Sequence, residues 1–136
     1  MTQEDRQLLL ADLSARLSYK VKADVMGWDE EKEEEIFVPV TIYSVNTDGY
    51  VYFADNDYDI TYCSIDTCRL YLRPMSSMTK EENQKFYDLT HQEGDDIWAK
   101  CLFDRMVDFC NERYLDYRGL TEKGLALEAP EGMYKL

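Results

Sequence analysis

The sequence predicts an α+β domain in which helical segments flank a block of antiparallel strands. Near the N-terminus, leucines recur three and four residues apart, which is the spacing of one helix face. Between about residues 19 and 72, apolar and polar residues alternate in short runs, as in strands with one wet face. Helical spacing returns from about residue 79 to 113. Strands grouped before helices favour α+β over an alternating α/β order, and 136 residues fit one domain over 1–136.

The first helix is predicted over residues 3–17. Thr2 is suited to cap it, and Asp5, three positions later, would complete a capping box. At about 100° per residue, four leucines share one stripe: Leu9, Leu10, Leu13 and Leu17. Three charged residues lie off that stripe: Asp5, Asp12 and Arg16. An amphipathic helix of this kind docks its apolar stripe on the rest of the domain.

The alternating block predicts a meander of four to five short antiparallel strands. They are expected over residues 19–25, 36–45, 50–54, 60–65 and 67–72. The run D-E-E-K-E-E-E at 29–35 is too charged to be buried and forms the first turn. Asn46 to Gly49 carries a turn signal. Pro39 removes a backbone donor from the second strand, which indicates an edge position or a bulge.

Two helices and a loop-rich tail are predicted to complete the chain. The first begins after Thr79, where Glu82 completes a capping box, and runs to about residue 91. The second covers about residues 95–113 and has a broad apolar face, which predicts that it is mostly covered. The tail is punctuated by glycine and proline, and residues 125–127 are its expected anchor.

Charge is distributed unevenly along the chain. The net charge is −13, and the segment from Asp24 to Asp66 holds 12 acids and one base, whereas the other residues hold 16 acids and 14 bases. This excess disfavours direct binding of nucleic-acid backbones or anionic membranes. It favours a basic protein surface, a cation, or plain solubility as its purpose. No apolar run reaches the length of about 18 residues needed for a membrane span, and the cytoplasm is the expected compartment.

The candidate interaction surface combines carboxylates of two turns with tyrosines of the strands. Tyr50 and Tyr52 alternate with Val51 and Phe53, so they point outward if the latter two are buried. Outward tyrosines suit a protein contact, although tyrosine is also common in strands of any kind. The predicted surface comprises Glu30, Glu31, Glu33, Glu34, Tyr50, Tyr52, Asp55, Asp57, Tyr58 and Asp59.

The stretch A-D-N-D-Y-D-I-T-Y at 54–62 is the candidate metal loop. Asp55, Asp57 and Asp59 match the first three acids of a calcium loop of the EF-hand kind. Ile60 stands where that loop needs glycine, and Asp66 stands where it needs the longer glutamate. An irregular cation site is the weaker alternative, and a solvated turn is the favoured interpretation. No cofactor and no bound metal are expected.

Catalytic motifs are not evident in the sequence. Nucleophilic catalysis with histidine would have to use His91, which no serine or cysteine motif accompanies. Asp104 and Asp108 share one helix face, but Lys100 and Arg105 lie close by, so a surface charge lattice is favoured. An enzyme is therefore the less favoured class.

Two segments carry a resemblance to other proteins. Y-L-R-P-M-S-S-M-T-K-E-E at 71–82 and D-Y-R-G-L-T-E-K-G-L-A-L-E-A-P-E-G-M-Y at 116–134 resemble short proteins of gut anaerobes and their phages. No activity is known for that family, so the resemblance implies context only, namely a phage-associated accessory protein. Arg73 and Arg118 within these segments are expected to tie loops to the acidic sheet.

Three functional hypotheses follow. The favoured one is a non-enzymatic acidic protein that contacts a basic partner and, in a phage context, acts as an inhibitor or nucleic-acid mimic. The second is a small divalent-cation-binding protein or enzyme that uses clustered aspartates. The third is a structural domain that has no ligand and whose charge serves solubility.

Overall fold

A computed structural model describes residues 1–54, 60–91 and 96–135 of the chain, with side chains described outside 96–102. Three α-helices and six strands make up the domain. In chain order they are α1 (Gln3–Arg16), β1 (Lys22–Asp29), β2 (Glu34–Val45), β3 (Tyr50–Ala54), β4 (Ile60–Ser64), β5 (Cys68–Leu72), α2 (Lys80–Thr90), α3 (Asp96–Glu112) and β6 (Ala126–Glu128). Among the described helices, none is long and apolar enough to cross a membrane.

The α+β class is confirmed, but the predicted count of four to five strands is wrong, because the sheet has six. Their order is β4-β3-β2-β1-β5-β6. The first four strands form the predicted antiparallel meander, whereas β5 returns to the far side of β1 and pairs with its residues 23–25. In the tail, β6 adds a parallel neighbour to β5. A strand of three residues is too short to show an alternating pattern, so the sequence predicts a loop in this part of the tail.

One face of the sheet packs against α1. Leu9 and Leu13 are fully buried, as their stripe predicts, and they meet inward-facing residues of the strands. The buried side chains of the strands are Ala23, Val25, Ile42, Val51, Phe53, Cys68, Leu70, Leu72 and Ala126, and Val21 is buried just before β1. A smaller cluster joins the helices α2 and α3, with Phe109, Cys110 and Leu115 at its centre. We call the side of the sheet turned towards α1 the inner face.

The helix α1 also carries two buried charges, which the leucine stripe alone did not predict. Asp12 and Arg16 are both fully buried. Arg16 donates Nε to Asp12 Oδ2 at 2.9 Å and Nη2 to Asp12 Oδ1 at 3.2 Å. It also donates to the carbonyl of Leu115 at 2.7 Å, and Arg118 donates to Asp12 at 3.0 Å. The chain after α3 covers this side of α1, so both charges lie inside the protein.

A second ion pair fastens α2 to the end of β5. Arg73 donates to both carboxylate oxygens of Glu82, at 2.8 and 3.0 Å, and to the carbonyl of Arg113 at 3.2 Å. Glu82 also completes the capping box with Thr79, as predicted. Arg73 and Arg118 therefore do tie loops, but their carboxylates belong to α2 and α1 rather than to the acidic sheet.

Removal of Asp12 is expected to be strongly destabilising. Asp12→Ala leaves the buried guanidinium of Arg16 without its counter-charge, and breaking such a pair costs about 3–5 kcal/mol. Chemical denaturation measures the loss of unfolding free energy. The control is Asp66→Ala, which removes the exposed pair with Arg6 at 3.7 Å and should cost less than about 1 kcal/mol. Equal losses in the two variants would contradict the assignment.

Glu82 is expected to contribute to acid denaturation. Its hydrogen bond to Arg73 holds its pKa at about 2, below the ordinary value of 4.5. The unfolded state therefore takes up the proton first, and the stabilisation is complete above about pH 4.5 and disappears as the pH falls towards 2. Denaturation curves between pH 2 and 6 should show a shallower acid decline for Glu82→Gln. The same substitution at exposed Glu81 should leave the slope unchanged.

Candidate protein-binding surface

The side of the sheet turned away from α1, called here the outer face, exposes large apolar side chains along β1–β4. On β3, Val51 and Phe53 point into the core, while Tyr50 is 43% exposed on the opposite side. Cross-strand partners share a face, so the register extends this assignment to the neighbouring strands. Nine large apolar side chains are exposed among the described residues, and six belong to the outer face: Trp28, Phe37, Tyr43, Tyr50, Ile60 and Tyr62.

Three of the tyrosine rings are held in a fixed cluster. Tyr62 lies directly opposite Tyr52 in the register of β3 and β4. The ring centroids of Tyr50 and Tyr62 are 5.6 Å apart in an edge-to-face arrangement, and those of Tyr52 and Tyr62 are 5.8 Å apart. Aromatic pairs at these separations attract each other, so each ring restricts the motion of its neighbour.

The hairpin of β1 and β2 extends beyond its neighbours as a two-stranded arm. The neighbour β5 pairs only with residues 23–25 of β1, and β3 pairs only with residues 42–45 of β2. Among the described strands, Met26–Asp29 and Glu34–Phe37 therefore pair only with each other. Trp28 and Phe37 stand on the outer face of this arm, 59% and 54% exposed. The arm accordingly presents two large aromatic side chains to solvent.

The tip of the arm carries the predicted glutamates. Asp29 Oδ1 accepts the backbone N–H of Glu31 at 3.0 Å and of Lys32 at 3.3 Å, which orders the turn. Glu33 adopts a left-handed conformation with φ of +50°, as a tight turn requires. The four predicted tip residues are all exposed: Glu30, Glu31, Glu33 and Glu34. Their negative charge is therefore concentrated at one end of the molecule.

The predicted site residues lie along a stripe instead of at one point. Tyr52 is opposite Ser44, which is ten residues along β2 from Glu34. At about 3.3 Å per residue, the tip and the tyrosines are about 33 Å apart along the strand. The aromatic side chains Trp28 and Phe37 occupy the arm between them. The remaining predicted residues lie outside the described residues: Asp55, Asp57, Tyr58 and Asp59.

The other half of the outer face, around β5, is occupied by the tail. The hydroxyl of Tyr134 accepts the backbone N–H of Lys22 at 2.9 Å and donates to the carbonyl of Tyr71 at 2.7 Å. Tyr71 in turn donates to Asp24 at 2.7 Å, and this bond to a carboxylate raises the pKa of Tyr71 to about 12. The polar groups of Tyr134, Tyr71 and Asp24 on this half are thus paired within the chain.

The described residues offer little for catalysis or metal binding. Among the side chains that the structure describes, in residues 1–54, 60–91 and 103–135, no three of His, Cys, Asp or Glu converge on one point. Burial raises the pKa of the free thiols of Cys63, Cys68 and Cys110, that of Cys68 to about 12, so they are poor nucleophiles at neutral pH. His91 is exposed and stacks on Tyr87 with centroids 3.8 Å apart. Asp104 and Asp108 are exposed on α3.

Comparisons of the chain with protein-family models, curated proteins and solved structures found no match.

Sequence reasoning missed most of the aromatic residues on the outer face. The alternation of the first strand predicts Trp28 on the outer face, because Asp24, Met26 and Trp28 continue it beyond Val25, where the predicted strand ends. Phe37 lay inside the predicted second strand, but the β-branched residues on both sides hid its alternation. For Tyr43, a register shift between residues 42 and 44 was not visible in the sequence.

The outer face should contribute little to stability compared with the inner face. Phe37→Ala removes a ring that is 54% exposed and should change the unfolding free energy by less than about 1 kcal/mol. Phe53→Ala removes a ring that is 6% exposed from the neighbouring strand and should cost about 3–5 kcal/mol. Urea denaturation of both variants measures the contrast. A loss at Phe37 as large as that at Phe53 would show that the outer face is part of the core.

Proposed function

We propose that this protein is a non-enzymatic interaction protein whose outer face binds a basic partner protein. The observation that carries the proposal is the group of six large apolar side chains on one side of β1–β4. Trp28 and Phe37 are diagonal neighbours on the arm, and Tyr50 and Tyr62 are in contact on β3 and β4. Exposed apolar groups that are grouped in this way, as opposed to scattered singly, mark interaction sites. Aromatic residues are also enriched in the cores of protein interfaces.

The individual residues suit tight contact. Trp and Tyr dominate the energetic hot spots of interfaces because they add large contact area at low cost in side-chain entropy. Trp28 supplies one such side chain on the arm, and Tyr50 and Tyr62 supply a pre-ordered pair on β3 and β4. Ordered rings lose little freedom on binding, which favours affinity.

Charge selects the kind of partner. Apart from the first two residues of β1, the strands β1–β4 lie within the segment from Asp24 to Asp66, which holds 12 acids and one base. A basic surface is drawn to such a region, whereas an acidic protein, a nucleic acid or a second copy of this chain is repelled. Four exposed glutamates at the tip of the arm place this charge beside the aromatic residues, on an ordered turn.

A narrower version of the proposal concerns the partner's normal ligand. Carboxylates on a rigid scaffold can take the place of phosphates on a protein that binds nucleic acid. The resemblance to proteins of gut anaerobes and their phages fits such a role, because a phage gains from occupying a host DNA-binding surface. In this version the protein acts in the cytoplasm as an inhibitor or nucleic-acid mimic.

The proposal predicts a capture that depends on the arm. Immobilised protein should retain a basic protein from a lysate of an anaerobic gut bacterium at low salt and lose it at high salt. Trp28→Ala/Phe37→Ala should weaken that retention at least about tenfold, because two interface rings are removed. Mass spectrometry identifies the retained protein, and biolayer interferometry with the purified partner measures the affinity.

The matched control is Tyr87→Ala/Phe103→Ala, which removes two rings that are 56% and 63% exposed on the helices α2 and α3. This control should bind like wild type. Retention of no basic protein, or equal loss in both double variants, would exclude the outer face as the binding surface.

A further inference from the structure

The strand β4 ends the sheet on the side of the tyrosine cluster. It pairs with β3 over five consecutive residues without a register shift, and among the described residues no strand pairs with its other side. Proteins protect such edges with proline, charged residues or bulges. The sequence of β4, I-T-Y-C-S, has neither proline nor charge. It is thus an open, regular and neutral edge.

The hydrogen-bonding register shows which backbone groups of this edge are free to pair. Ile65 donates its N–H to the carbonyl of Gly49 at 2.8 Å, so these two residues form a hydrogen-bonded pair. Such pairs recur every second residue in an antiparallel ladder, so the backbone N–H and C=O groups of Thr61 and Cys63 point towards β3. Ile60, Tyr62 and Ser64 consequently direct their N–H groups away from β3. The carbonyl of Ser64 already accepts the hydroxyl of Thr67 at 2.9 Å.

The other edges are less suited to accept a strand. The stretch of β2 that lacks β3 as a neighbour carries Pro39 opposite Asp24, and the same alternation turns the Pro39 nitrogen outward, where it offers no donor. That stretch ends at the bulge next to Tyr43 and begins at charged Glu34. At the opposite side of the sheet, β6 has only three residues.

We propose that β4 accepts an extended basic segment of the partner as a seventh strand of the sheet. The inference rests on the proposed function and assigns its mode of contact. An added strand places alternate side chains beside Ile60 and Tyr62, which are 58% and 62% exposed, and so continues the outer face. The main-chain bonds supply affinity, and the neighbouring side chains supply specificity.

Charge complementarity identifies the occupant as basic. In the sequence, β4 is preceded by Asp55, Asp57 and Asp59 and followed by Asp66, and its own residues are neutral. A segment of the chain so rich in acids favours lysine or arginine side chains in an added strand. A second copy of β4 brings the same acids and a further net charge of −13, which opposes pairing of identical edges.

The experiment uses the full chain and two blocked six-residue peptides, one alternating lysine with valine and one alternating glutamate with valine. Amide hydrogen exchange by NMR is measured with each peptide at millimolar concentration. With the lysine peptide, exchange should slow at Ile60, Tyr62 and Ser64, the residues whose N–H groups face outward, while the glutamate peptide has no effect. No protection at these amides, or protection at Phe37 and Thr41 of β2 instead, would overturn the proposal.

A pair of variants at one position isolates the backbone donor. Ser64 has φ of −69°, which proline adopts without strain. Ser64→Pro and Ser64→Ala both remove the hydroxyl that accepts the N–H of Asp66, but only the proline variant also removes the outward N–H. Affinity for the lysine peptide should be at least about fivefold lower in Ser64→Pro than in Ser64→Ala.

The outcomes separate the two proposals. Equal peptide affinity in the two Ser64 variants overturns strand addition, and the wild-type exchange pattern decides the question if Ser64→Pro does not fold. Capture that depends on Trp28 and Phe37 without peptide protection at β4 refutes strand addition and leaves the proposed function standing. Peptide protection at β4 without capture of any basic protein supports strand addition and refutes the proposed function. A concentration-dependent dimer that Ser64→Pro abolishes would identify a second copy of this chain as the occupant and would overturn the proposal of a basic segment.

Discussion

The buried pair of Asp12 and Arg16 is the constraint on which the rest of the structure depends. Burying two charges costs several kcal/mol per ion unless their partners are in place. Arg16 therefore requires both oxygens of Asp12 and also the carbonyls of Cys110 and Leu115, which lie 94 and 99 residues further along the chain. These contacts fix the end of α1 against the end of α3. With that end fixed, the leucines of α1 are held over the sheet.

The location of α1 explains why the outer face is available. Leu9 and Leu13 cover the inner face, where Val25 and Val51 are almost fully buried. The six apolar side chains of the outer face add little to that core. This apolar area, which stays in water beside the half of the face that the tail covers, is the basis of the proposed binding surface.

The sequence predicted those features of the fold that depend on residues close together in the chain. The helix α1, the capping box at Thr79 and Glu82, and the outward direction of Tyr50 all follow from spacing within a few residues. The burial of Arg16 does not, because a helical wheel ranks a residue by its own helix, and the cover comes from residues 110–118. The pairing of β5 with β1 is likewise a long-range contact, and nothing within residues 68–72 specifies its neighbour.

Pro39 shows how a correct local inference can need tertiary context. Proline indicated an edge or a bulge, yet β2 is a central strand of the sheet. The two statements agree because β3 pairs with β2 only from Ile42 onward. Pro39 therefore lies on a stretch of β2 that has no described strand on the side of β3. The sequence predicts a longer second strand and a shorter third one, but it does not show which part of the longer strand pairs with the shorter one.

The distance between the charged tip and the tyrosine cluster has a kinetic consequence for the proposed binding. The glutamates lie at the tip of the arm, about 33 Å along the strand from Tyr52. Charges at the rim of an interface act mainly on the association rate, whereas buried rings act mainly on dissociation. In the proposed complex, the exposed tip would therefore attract a basic surface from a distance, and the rings of Trp28, Tyr50 and Tyr62 would retain it. A partner that contacts both the glutamates and the tyrosine cluster must extend along the arm. An elongated segment does so more readily than a compact one.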